Sequence, residues 1–208
     1  MKQYINPKSK DWGGLLERPT ANYKDLEPLV EQVFSDVKSK GDQALIDYTL
    51  EFDKQKLSSF SVEPDAYDRE KNSISSDLKK AIQRAKSNIE SFHIAQKTDK
   101  VFVETQPGVE CWQEKRPIES VGLYIPGGSA PLFSTILMLA IPAKIAECKE
   151  IILCTPPDSN GNIPDVILYT ANLCGVTQVF KVGGIQAIAA MTFGTETIPK
   201  VFKIFGPG

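Results

Sequence analysis

A single histidine, His93, stands among the 208 residues. No histidine-rich metal site can be built from so little. Cysteine is almost as scarce. Cys111, Cys148, Cys154 and Cys174 form no C-x-x-C pair, and their spacing matches no zinc knuckle. They sit in apolar, strand-like surroundings, which reads as reduced, mostly buried thiols in a cytoplasmic protein. Charge of one sign is missing too. With 24 basic and 26 acidic side chains the net charge is −2, which argues against nucleic-acid binding driven by bulk charge. No apolar run reaches the ~18 residues of a membrane span without charge, Pro or Gly interrupting it. Behind Lys2 there is no apolar stretch, so the N-terminus does not read as a secretory leader. The dinucleotide fingerprint G-x-G-x-x-G, the P-loop and any Ser–His–Asp set are absent as well.

What is present divides near Pro117. Most charged residues precede it, whereas ten of the 14 glycines and nine of the 14 prolines follow from it onward. The first part reads as amphipathic helices behind a polar arm over residues 1–22. Leu26, Leu29, Val30, Val33, Phe34 and Val37 recur at helical spacing. Gly41 stops that helix, and Asp42 is placed to cap the next, which carries Ala44, Leu45, Tyr48 and Phe52. Residues 60–64 read as a linker. A long helix is predicted over 77–96. Val101, Phe102 and Val103 then face 109–112 across the turn residues Gln106, Pro107 and Gly108, a hairpin signal.

The second part alternates strand, loop and helix. Strands are predicted at 121–125, 151–154, 178–181 and 200–205. Helices are predicted at 132–146, with a kink at Pro142, at 166–174, stopped by Gly175, and at 185–191. Such alternation implies an α/β protein with a parallel sheet, whose ligands bind at the carboxyl ends of the strands. All the glycine-rich loops fall at that end. The last predicted strand runs into Gly206-Pro207-Gly208, where another helix should open, so the chain reads as continuing beyond its last residue.

Few residues here can carry chemistry. Gly127, Gly128 and Ser129 lie between a strand and a helix N-terminus, where backbone N–H groups suit a phosphate; the same loop could be only a tight turn. Gln186 follows Gly183 and Gly184 in the first turn of a short helix, as a hydrogen-bonding side chain or a merely solvated one. Tyr124 ends its strand beside the first glycine loop, to cover a nucleotide or to fill the layer between sheet and helix. His93 closes the long helix, a position that favours capping or packing.

Taken together, these stretches resemble the histidinol dehydrogenase family. The resemblance rests on residues 116–132, which carry Tyr124-Ile125-Pro126-Gly127-Gly128-Ser129. It rests also on Gln106-Pro107-Gly108-Val109, Phe92-His93-Ile94-Ala95-Gln96, the run Val182-Gly183-Gly184-Ile185-Gln186, and Lys203-Ile204-Phe205-Gly206-Pro207-Gly208. It implies NAD-dependent, four-electron oxidation of L-histidinol to L-histidine through a bound aldehyde, by a zinc-containing homodimer in histidine biosynthesis. It implies a Rossmann-like domain over 121–208. Residues 1–120 would be a helical region with a hairpin, part of an interrupted, incomplete second α/β domain of aldehyde-dehydrogenase-like type.

The family's NAD-contacting tyrosine and glutamine match Tyr124 and Gln186, and Gly127, Gly128 and Ser129 become a wall of the cofactor crevice. The family's third NAD contact, its zinc ligands and its proton-transferring Glu–His pair would lie beyond Gly208. The expectation is therefore an N-terminal half with no catalytic or metal residues of its own, inactive alone, neither nucleic-acid- nor membrane-bound, and exposing apolar surface that promotes association. Two rivals remain. One is a stand-alone nucleotide-binding module without catalysis. The other is an aldehyde-dehydrogenase-like or glutamyl-phosphate-reductase-like protein, which would need a nucleophilic cysteine.

Overall fold

The computed structural model describes residues 3–17, 23–63, 73–128 and 130–207. Among its described residues the polar arm makes a 3-10 turn (Ser9–Asp11) and a short helix, α1 (Trp12–Leu15), neither of which buries a residue. Two amphipathic helices follow, α2 (Glu27–Lys40) and α3 (Asp42–Phe52), then the long α4 (Ser76–Ala95). Strands β1 (Phe102–Gln106) and β2 (Val109–Trp112) pair antiparallel as the sequence predicts, with every residue of both exposed. The rest is β3 (Ser120–Tyr124), α5 (Phe133–Ile145), β4 (Glu150–Thr155), α6 (Asp165–Leu173), β5 (Gln178–Lys181), α7 (Gly184–Phe193) and β6 (Lys203–Phe205). Helix α5 continues past Pro142 to Ile145.

The sheet has the order β5-β4-β3-β6 with every pairing parallel. Both faces are covered, so the strands are apolar on both sides. On one face Val121, Leu123, Ile151, Leu153 and Val179 pack with α5, α6 and Ile82 of α4. On the other, Ile152, Cys154 and Phe180 pack with α7, with Val33 and Val37 of α2, and with Ala44 and Leu45 of α3. Phe34 of α2 meets Phe193 of α7 edge to face, 5.8 Å between centroids. Helices from before and after Pro117 thus share both cores.

Three expectations need correction. Residues 60–62 are no simple linker: Lys181 N–H donates to Phe60 O (2.7 Å) and Val62 N–H to Val179 O (3.0 Å), so the segment covers the outer edge of β5 with Phe60 buried. Pro64 lies outside the described residues. Asp42 does not cap its own helix. Gly41 ends α2 at φ +56°, and the first N–H of α3, that of Asp42, donates to the Glu196 carboxylate at 2.7 Å. The Asp42 carboxylate accepts instead from Thr197 N–H and hydroxyl. The last strand begins at Lys203 rather than at residue 200, because Val201 N–H donates to Met191 O of α7 (2.9 Å) and pairing with β3 starts only at Lys203.

Helices α2 and α3 are clasped at Asp36, which accepts from Gln32 Nε2 (2.9 Å), Tyr48 hydroxyl (2.7 Å) and Lys40 Nζ (2.8 Å). These donors, Gln32 first, hold the carboxyl well below its ordinary 3.8. Burial, and then the Asp36 charge, push the Tyr48 phenol up to about 12 from 10.0. A depressed acid stabilises the fold above its unfolded pKa and loses that contribution as pH falls. A raised phenol contributes below its unfolded pKa and loses it as pH rises. The clasp therefore weakens below about pH 4 and between about pH 10 and 12. In melts across that alkaline range, Tyr48→Phe should lose less stability than wild type; equal losses would refute the role of the phenol.

Apolar side chains stay exposed at the end of α4 and along the hairpin, among them Phe92, Ile94, Phe102, Val103 and Trp112. Among the described residues no helix is long and apolar enough to cross a membrane.

Candidate functional site

The sheet changes direction between β3 and β6. The crossovers through α5 and α6 step from β3 to β4 to β5, and the one through α7 returns to the far side of β3. A right-handed rule for such connections places α5 and α6 on one face and α7 on the other, as observed. The carboxyl ends of β3 and β6 then flank a crevice where open α/β sheets take their ligands.

Tyr124 is the last residue of β3, and Gly206, just past β6, approaches it closely enough that a Cβ there would lie 3.3 Å from Tyr124 Cβ. The half-buried ring of Tyr124 points its hydroxyl at α7, where it accepts from Gly184 N–H at 3.1 Å. Gly184 needs its glycine for two reasons. Its φ is +62°, and a Cβ would fall 2.7 Å from Gln186 Oε1. Tyr124 therefore fills the layer between sheet and helix, and its hydroxyl reaches the loop that opens α7.

Gln186 is the main departure from the bland reading. A first-turn glutamine is ordinarily solvated, yet this one is fully buried, with Nε2 and Oε1 both lacking a partner among the described residues. An unpaired buried amide costs about 1–3 kcal/mol. Such a group is retained for a reason, and a ligand that supplies an acceptor and a donor would satisfy it. Gly127 has a packing reason of its own, since a Cβ there would meet Pro156 Cγ at 2.6 Å, whereas Gly128 faces open space. Ser129 lies outside the described residues.

The cysteines offer no nucleophile at the crevice. Cys154, paired with Tyr124 across β3 and β4, is fully buried, and burial pushes its thiol far up. Burial also raises Cys148, and raises Cys174 to about 11. Cys111 departs from the expected burial because the hairpin that carries it stands out from the core. His93, at the end of α4, pairs Nδ1 with Gln96 Oε1 at 2.7 Å, an exposed contact between two side chains. It lines a cleft of about 660 Å³ with Lys97, Lys115 and Pro117, at the opposite end of the sheet from the crevice. Among the described residues no three His, Cys, Asp or Glu side chains are grouped to hold a metal ion.

For a nicotinamide dinucleotide the residues fit. The amide of Gln186, buried and without a partner among the described residues, lies in the first turn of α7, whose Gly184 N–H bonds the Tyr124 hydroxyl at the carboxyl end of β3. For zinc the described residues supply no ligand group, and no step is assigned to one. Sequence reasoning missed Pro156 and the separate demand at Gly184; the Gly183-Gly184 doublet was the only hint.

Comparison with known proteins gives consistent results. The family model for histidinol dehydrogenase matches residues 16–208. Histidinol dehydrogenase of Bacteroides thetaiotaomicron is 53% identical over 208 residues, covering 100% of this chain and 49% of that protein. The Escherichia coli K12 enzyme of that name is 53% identical over 195 residues, 93% of this chain and 44% of that protein. The crystal structure of histidinol dehydrogenase from Elizabethkingia anophelis superposes with a TM-score of 0.91 at 56% identity, over 99% of this chain and 47% of that one. The chain spans about half the length of the curated relatives it matches.

Proposed function

Because the chain belongs to the histidinol dehydrogenase family, we propose that it forms the NAD crevice of an enzyme oxidising L-histidinol to L-histidine. The observation that carries this reading is Gln186, a buried amide with both polar atoms unfilled, beside the Tyr124 hydroxyl at the switch point of a parallel sheet. Bound NAD⁺ supplies the hydride acceptor. This chain's residues bind and orient it. Gln186 donates from Nε2 and accepts at Oε1. The Tyr124 hydroxyl, already accepting from Gly184 N–H, has its own proton left to give.

The rest of the reading follows the family. It places the protein in the cytoplasm as a zinc-containing homodimer, with proton transfer and metal binding carried by residues other than these 208. It includes the division into residues 1–120 and a crevice domain over 121–208, the helices of the first packing into both cores of the second. On this reading the chain alone does not oxidise histidinol.

Calorimetric titration of NAD⁺ into the chain tests the crevice. Binding at about 1 mM or tighter is expected, a free energy near −4 kcal/mol. Gln186→Ala and Tyr124→Phe should each weaken it. Absence of heat at several millimolar NAD⁺ would sink the reading. NADH formed from histidinol by the chain alone, in the presence of zinc, would overturn the assignment of catalysis to other residues.

A further inference from the structure

Pro156 directly follows β4, the strand that lies between β3 and β5. Two glycines from the neighbouring loops press on its ring. A Cβ on Gly127, after β3, would fall 2.6 Å from Pro156 Cγ. A Cβ on Gly183, after β5, would fall 2.5 Å from Pro156 Cβ and 3.0 Å from Cγ. Real Cβ atoms do not approach so closely, so both loops rest on the ring at backbone distance. The backbone of Gly183 is ordinary at φ −115°, which leaves space alone as its reason for being glycine.

Both loops lead to the crevice. Gly127 comes three residues after Tyr124, and Gly183 three before Gln186. The hydrogen bond from Gly184 N–H to Tyr124 closes the same circuit at 3.1 Å. That bond survives only if the two loops keep their spacing, and the rigid pyrrolidine ring between them sets it. We infer that Pro156 is a positioning residue: it wedges the loops after β3 and β5 apart and so fixes Tyr124 relative to Gln186. This rests on the NAD-crevice reading above.

The atoms involved make the wedge testable. Pro156→Ala removes Cγ but keeps Cβ, whereas Pro156→Gly removes both. In Gly127→Ala/Pro156→Ala the nearest original contact that remains is Cβ, at 3.7 Å, so the double variant should melt close to Pro156→Ala alone. Gly183→Ala should be rescued by Pro156→Gly but not by Pro156→Ala, because its clash is with Cβ. Rescue of Gly183→Ala by Pro156→Ala would overturn the wedge.

NAD⁺ titration supplies the readout that a purely structural role would leave unmoved. Pro156→Ala and Pro156→Gly should weaken affinity about tenfold, as sub-ångström misplacement of contact groups does. Pro157→Ala removes the neighbouring ring, which is not among the nearest atoms to either glycine, and should leave affinity unchanged. Wild-type affinity in both Pro156 variants would overturn the positioning role and leave the crevice standing. No binding by the wild-type chain would overturn the crevice, and the positioning role with it.

Discussion

Gln186→Leu is expected to stabilise the chain by about 1–3 kcal/mol and, in the same variant, to remove its affinity for NAD⁺. The amide is fully buried and unpaired on both atoms, so the native fold carries the desolvation cost of a donor and an acceptor. Leucine is of similar volume and carries no polar atom, so it fills the same buried space without the desolvation cost. For a chain of this size each kcal/mol moves the melting temperature by about 2–4 °C. Stability that rises as binding falls is what a site poised for a ligand shows. Melts without ligand and calorimetry with NAD⁺ decide the matter. A lower melting temperature would mean the amide is satisfied in the free protein, and unchanged affinity would mean it does not touch the cofactor.

Leu123→Ala should cost about 2–5 kcal/mol, the range for emptying a fully buried aliphatic site. Leu123 sits in the central strand with no exposure, in register with Leu153 on one side and Phe205 on the other. Its core also holds Ile136 and Leu137 of α5, Ile167 of α6 and Ile82 of α4. Because elements from both compositional halves share that core, the variant should still unfold in one transition, at lower temperature. Met138→Ala, on the exposed side of α5, is the control and should stay within about 0.5 kcal/mol. Two separate transitions in Leu123→Ala would show that the helices before residue 117 fold independently of the sheet.

The elements that the sequence announced are those with a local cause. The strands read as continuous apolar runs because each is covered on both faces. Gly41 and Gly175 ended their helices at positive φ, as stop signals should. The hairpin followed from its Pro107-Gly108 turn. The glycine loops fall just past the carboxyl ends of the strands, where the sequence put them.

Other features have causes that lie far along the chain. Asp42 looked like a cap because capping is a local pattern, yet its N–H is satisfied by Glu196, 154 residues away. Residues 60–62 looked like a linker because three residues are too few to show strand alternation; only the open edge of β5 makes them pair.

By itself, then, the sequence determined the alternation of strands and helices, the parallel sheet and the family, since periodicity, turn chemistry and motif order are written in consecutive residues. Tertiary structure alone decided that Gln186 is sealed and unpaired, that Tyr124 reaches Gly184, and that Pro156 stands between two glycine loops. Burial and close contact depend on which distant segments meet, and no local pattern encodes that.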